Sequence, residues 1–228
     1  MSALWDVGLP FRLSPSHWAL ILVLLSGGLV TTPAHGQGAV QWRTNYYDVS
    51  GSSIREIRRS MRRNRPPQVE LDALTEWSLR ARCSPSPFQG AYRCAGFNTT
   101  LAIRITLPRW TPPEGASDFV KEAWGSYITA LTEHELGHAQ FALSAAAELH
   151  RQVREMGTYP SPEAVQSQVQ SLVMSITEEF KQREEEYDRL TNHGVDHGVV
   201  LAIGDEPDGE RPSLERSDRS DQRRRRRE

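Results

Sequence analysis

The stretch from Ser117 to Gly157 carries a helical pattern long enough to dictate what surrounds it. A helix begins near Ser117 or Asp118 and runs towards Met156, with Gly157 as a C-cap. Phe119, Ala123, Trp124, Tyr127, Leu131 and Leu149 supply its apolar positions. Within it stands His134-Glu135-Leu136-Gly137-His138. Residues four apart differ by only about 40° around a helix axis, so both imidazoles project from one face. Two such nitrogens can close on a single zinc ion at about 2.0–2.1 Å. Glu135, directly after the first histidine, is placed to take a proton from a metal-activated water and not to ligate the metal. That is the general-base role in zinc-dependent hydrolysis.

The bland alternative is a solvent-facing helix with two histidines among many glutamates. Gly137 weighs against it, because glycine in a helix interior costs about 1 kcal/mol relative to alanine. It lets another backbone, or a substrate strand, approach the metal face closely. The small residues from Ala142 to Ala147 suit close packing against another element, and His150 reads as a surface residue favoured by the helix dipole.

A catalytic zinc site takes three protein ligands and keeps one position open. Ser144 stands where the HExxHxxGxxH extension would place its last histidine, so the third ligand lies elsewhere. A second helix starts at Ser161-Pro162-Glu163, an N-cap serine followed by proline at the first helical position. It continues through Val165, Val169, Leu172, Val173, Ile176, Phe180 and Tyr187, and ends at Thr191-Asn192-His193-Gly194. The short link folds it back antiparallel, returning its end towards the start or middle of the first helix. Glu178 and Glu179 are candidate third ligands, as is His193, with His197 weaker. Most glutamates from Glu178 to Glu186 read as a solvated face. Asp188 can orient a ligand imidazole by a hydrogen bond, and Tyr187 can pack there or steady a developing oxyanion.

Upstream the chain reads as strands with one short helix. Val40–Val49 is rich in β-branched and aromatic residues. Ile54–Arg63 is a short helix with Ile54, Ile57 and Met61 on one face and arginines on the other, read as solvated. Thr75–Arg82 is a second strand, and Phe97–Trp110 alternates Leu101, Ile103, Ile105 and Leu107 with Ala102, Arg104 and Thr106. Cys83 and Cys94 frame a Pro/Gly-rich loop and read as one disulfide closing a hairpin, worth about 3 kcal/mol.

Residues 1–36 read as a secretory signal peptide, with an apolar run from Trp18 to Leu25 and a small-x-small site at Ala34-His35-Gly36; an uncleaved anchor is the competing reading. No second hydrophobic span follows. The domain therefore spans 37–200, and 201–228 reads as a disordered charged tail. With 38% hydrophobic residues and a mean hydropathy of -0.55, part of the chain is expected to lie outside any core. A net charge of -2 excludes a globally basic nucleic-acid binder. The arginines of 55–65 and 223–227 can still meet an anionic envelope surface.

The chain resembles a family of bacterial secreted, predicted zinc-dependent proteases long catalogued as a domain of unknown function. The resemblance runs from about Val40 to Gly194. It is carried by Tyr46-Tyr47-Asp48-Val49-Ser50-Gly51, Thr75-Glu76-Trp77, Leu107-Pro108-Arg109-Trp110, the His134–His138 segment and Tyr187-Asp188-x-x-Thr191-x-His193-Gly194. It implies a metal-dependent peptidase, with His193 as third ligand beside His134 and His138.

The expectation is thus an α+β fold, a small antiparallel sheet packed with a two-helix hairpin that carries the zinc site. The expected function is a periplasmic or secreted metallopeptidase acting on peptide or protein substrates, with Glu135 as general base. The rivals are a zinc hydrolase of a non-peptide amide and a non-catalytic zinc-binding envelope module.

Overall fold

The computed structural model describes residues 30–34 and 38–202. In chain order these form β1 (Val30–Ala34), β2 (Gly38–Val49), α1 (Ile54–Asn64), β3 (Leu74–Phe88), β4 (Ala91–Trp110), α2 (Asp118–Arg154) and α3 (Pro162–Leu190). A 3-10 turn at Val195–His197 follows. The fold is α+β, as the pattern implied. The expected signal peptide and charged tail lie outside the described residues, apart from β1 and the last residues before 203. No helix among the described residues is long and apolar enough to cross a membrane.

The sheet is mixed, not antiparallel. Its order is β1-β2-β4-β3. β4 runs antiparallel to β3, from which it is separated by a tight turn, and parallel to β2, with Val40 beside Leu101 and Tyr46 beside Leu107. Alternation reports which face of a strand is buried and is silent on the direction of its neighbours. The buried face is the one expected: Leu101, Ile103, Ile105 and Leu107 are all almost wholly inaccessible. These side chains commit one face of the central strand to the helices.

The strand ends interlock through the segments that carried the family resemblance. Arg109 donates from Nε to Asp48 Oδ1 at 2.7 Å, between residues already paired across β2 and β4. Trp110 Nε1 donates to Gly51 O at 3.0 Å, just before α1. Ser53 caps α1 by accepting from Glu56 N, and Glu56 reaches back to Ser52 N at 2.8 Å. Two otherwise unpaired donors are thereby satisfied at the helix start. Ile54, Ile57 and Met61 are buried as their spacing requires.

The expected Cys83–Cys94 loop is instead ordered strand. β3 continues through Ser84-Pro85-Ser86-Pro87 to Phe88 after a register shift at Ser84/Pro85, and only Gln89-Gly90 turns the chain. Both turn residues have positive φ, 50° and 80°, which suits a two-residue hairpin. Prolines are tolerated here because β3 is an edge strand, with no neighbour needing their missing N–H. The disulfide joins Cys83 to Cys94 across this hairpin with Cα atoms 5.7 Å apart.

The open edge of β3 is covered by α3. Gln170 Nε2 donates to Ala81 O at 3.0 Å, and Cys83 N donates to Gln166 Oε1 at 3.3 Å. Glutamine amides thus substitute for a fifth strand and satisfy backbone groups that would otherwise invite pairing with another chain. Ser161 caps α3 as the sequence indicated, and Ser117, one of the two starts considered, caps α2. Ala139, Ala142 and Ala145 are buried to 1% or less, so α2 meets its neighbours through methyl groups. His150 is buried as well, contrary to the surface role expected. Its Nε2 lies 2.9 Å from Thr99 Oγ1, and its ring meets Phe97 edge-on. Favourable placement near a helix end says nothing about whether β4 passes overhead.

Candidate metal centre

α2 delivers His134 and His138 to one face, and the end of α3 returns to meet them at mid-helix. The residue that arrives between the imidazoles is Asp188. Its Oδ1 lies 3.0 Å from His134 Nε2 and 3.0 Å from His138 Nε2, and the two nitrogens are 3.3 Å apart. Among the described residues, His134, His138 and Asp188 are the one group of three such donors close enough to share an ion.

This triangle can be compared with what zinc requires. A tetrahedral ion with bonds of about 2.0–2.1 Å has donor–donor edges of about 3.3–3.4 Å, the bond length multiplied by about 1.63. The observed edges of 3.0, 3.0 and 3.3 Å need only a few tenths of an ångström of expansion. Two imidazole nitrogens and one carboxylate oxygen also suit zinc chemically. The residues fit the ion.

The charges are set by the same contacts. Burial opposes a charge on His138, but the carboxylates of Asp188, which is hydrogen-bonded to it, and Glu184 nearby outweigh that and raise its pKa from 6.5 to about 10. Burial also acts to raise the Asp188 carboxyl, yet the hydrogen bonds from both histidines hold it well below the usual range. Each partner thus favours the charged form of the other.

Glu135 is buried beside this cluster. Burial pushes its carboxyl pKa up, partly offset by the Thr75 hydroxyl and the two histidines. Thr75 donates to Glu135 Oε2 at 2.7 Å, and the same hydroxyl lies 3.1 Å from the Glu135 carbonyl. The edge strand thereby fixes the carboxylate from the sheet side.

Glu184 takes part in the centre although it stands in the run of glutamates read mostly as a solvated face. Its Oε2 accepts from Trp77 Nε1 at 2.8 Å, and its Oε1 faces His138 Nδ1 at 3.7 Å. A carboxylate behind a ligand histidine holds the ring orientation and makes the opposite nitrogen a better donor to metal. A signal was available, since Glu184 and Asp188 stand four apart on α3 just as His134 and His138 do on α2. Glu178 and Glu179, the glutamates singled out instead, are exposed and occupied with Gln182 and Arg183.

Tyr187 packs. Its ring stacks on His134 at 5.0 Å and 15°, meets His138 edge-on at 5.3 Å, and lies 5.6 Å from Phe141. A Cβ built on Gly137 would come within 2.6 Å of the Tyr187 hydroxyl, so the glycine seats this tyrosine instead of admitting a substrate strand.

His193, expected as third ligand, stands outside the triangle, with Nδ1 3.8 Å from Asp188 Oδ2 and the side chain 54% exposed. It belongs to a run of three left-handed residues, Asn192, His193 and Gly194. Non-glycine residues pay about 1–2 kcal/mol each for that conformation. The turn is held by Thr191 Oγ1, which donates to Tyr187 O at 2.9 Å and accepts from Gly194 N at 3.1 Å. It also brings Gly194 against the His134 ring, where an added Cβ would lie 3.0 Å from Cγ and 3.1 Å from Nδ1. His197 is exposed, its ring 6.2 Å from that of Tyr187.

A cleft of ≈ 760 Å³ opens over the centre, bounded by α1, the segment from Arg65 to Thr75, α2 and the end of α3. Tyr47 Oη donates to Asp72 O at 2.6 Å and Tyr127 Oη donates to Asp72 Oδ2 at 2.7 Å, so two core tyrosines hold the wall formed by that segment.

A family model described as "Bacterial protein of unknown function (DUF922)" matches residues 44–194. Comparison with curated proteins and with solved structures gives no match.

Proposed function

The chain belongs to this bacterial family, whose description assigns no activity, and on that premise we propose that it is a zinc-dependent hydrolase of peptide bonds working outside the cytoplasm. The observation that carries the reading is the triangle of His134, His138 and Asp188 lying open to a cleft with Glu135 buried beside it. Structural zinc sites are closed by four protein donors, whereas catalytic ones keep a position for water or substrate. Three donors facing a cleft support the second kind.

In this reading His134, His138 and Asp188 would hold the metal, and His193, 3.8 Å from Asp188, is the remaining candidate ligand. The ion supplies a Lewis acid and lowers the pKa of a water held there. Glu135 would accept a proton from water at its carboxylate and deliver it to the leaving amine; its buried site favours proton uptake. Thr75 fixes the carboxylate for that task. Trp77 and Glu184 orient His138, while Tyr187 excludes water from the back of both imidazoles. The disulfide and the absence of a membrane-crossing helix among the described residues are consistent with an exported protein.

Glu135→Gln separates this proposal from its rivals. The variant is expected to retain bound zinc while losing at least about a hundredfold in peptide hydrolysis, the lower range for a general base. A non-catalytic zinc module would lose nothing measurable, and a hydrolase of another amide would show no peptide turnover in either form.

A further inference from the structure

The arginines of α1 do not all look into solvent. Arg58 and Arg62 stand four apart on one face of α1, Arg65 follows as its C-cap, and all three line the cleft that contains the metal centre. Among the described residues none of them is ion-paired with a carboxylate. Arg58 Nε donates to Leu201 O at 2.6 Å, and Arg65 donates to the carbonyls of Glu70 and Leu71. Those contacts aim the guanidinium groups without neutralising them. Arg62 is exposed and holds neither kind of partner among the described residues.

Six carboxylates also line the cleft, those of Glu70, Asp72, Glu135, Glu184, Glu185 and Asp188. Asp188 and Glu184 face the histidines from α3, and Asp72 accepts from Tyr127. The α1 side of the cleft therefore forms a wall of three arginines that no ion pair neutralises among the described residues. We propose that this wall selects the substrate: the cleft takes peptides with carboxylate side chains beside the bond to be cleaved, read by Arg62 together with Arg58 and Arg65. The inference rests on the peptidase reading of the same centre.

The test uses the full chain freed of metal, so that binding is read without turnover. Two fluorescein-labelled peptides of equal length are compared by fluorescence anisotropy at low salt, one of alternating Ala and Glu, the other of alternating Ala and Gln. The glutamate peptide is expected to bind about tenfold more tightly, falling towards parity as salt screens the pairs. Arg62→Glu should weaken it by about fivefold and leave the glutamine peptide unchanged. Arg63→Glu is the control: it changes net charge equally, on the same helix, at an exposed residue that does not line the cleft. Both variants keep Arg223–Arg227, so attraction by that run cancels between them. Equal binding of the two peptides, or an equal effect of the two substitutions, overturns the proposal. Turnover is scored separately with zinc-loaded protein. Failure to cleave either peptide, with the acidic preference intact, sinks the hydrolase and leaves the anion-selecting wall. Equal cleavage of both sinks the selection and leaves the hydrolase.

Discussion

Gly137→Ala measures how tightly the two helices close around the centre. On helix propensity alone the change stabilises by about 1 kcal/mol. Steric crowding against Tyr187 works in the opposite direction and outweighs that gain. The new Cβ would stand 2.6 Å from Tyr187 Oη, 2.9 Å from Cζ and 3.1 Å from Cε1, where ordinary contact begins at 3.4 Å. The hydroxyl must therefore retreat by 3.4 − 2.6 = 0.8 Å. It has little room, since the ring is wedged between His134, His138 and Phe141. Overpacking of this kind costs about 1–3 kcal/mol. The net expectation is a loss of about 0–2 kcal/mol in denaturant unfolding of the metal-free protein. Metal binding should suffer more, because Asp188 follows Tyr187 on the displaced turn and ligand distances tolerate only about 0.2 Å. A competition titration against a chromophoric chelator should show zinc affinity falling by about tenfold or more. A variant stabilised by about 1 kcal/mol with unchanged zinc affinity would refute the reasoning, and with it the close seating of Tyr187 on α2.

Trp77→Phe keeps an aromatic ring in place and removes the donor to Glu184; zinc affinity in the same titration should drop by about 10-fold, while unfolding shifts little. An unchanged affinity would mean that Glu184 does not orient His138. Cys83→Ala with Cys94→Ala should destabilise the chain by about 3 kcal/mol in denaturant unfolding and leave metal stoichiometry intact, because the hairpin lies away from the cleft. Asp72→Asn keeps an acceptor for Tyr127 but weakens a charge-assisted bond; a loss of about 1 kcal/mol is expected, read as a lowered denaturation midpoint.

The parts of the fold that were legible were those fixed by local rules. The cap at Ser161 needed only a serine and a proline before an apolar period. The buried face of β4 needed only alternation, and the shared face of His134 and His138 only a spacing of four. What escaped depended on contacts between distant segments. The parallel pairing of β2 with β4 leaves no mark on either strand's pattern. Pro85 and Pro87 spelled a loop because their tolerance on β3 depends on its being an edge. At the centre, Asp188 and His193 were both visible in one short segment, but which of them faces the imidazoles is set by the left-handed turn at Asn192–Gly194. Thr75 and Trp77 stood in a segment that marked the family, and their roles emerged only when β3 met α2 and α3.

The proposed chemistry depends on His134, His138 and Asp188 holding a metal ion together. The direct test is the zinc content of the purified full chain by elemental analysis, beside Asp188→Asn and His193→Ala. The expected result is one zinc per chain in the unaltered protein, nearly complete loss in Asp188→Asn, and retention in His193→Ala. An unaltered protein that takes up no zinc when the metal is supplied, or an Asp188→Asn variant that keeps it as well as the unaltered chain, would contradict the claim.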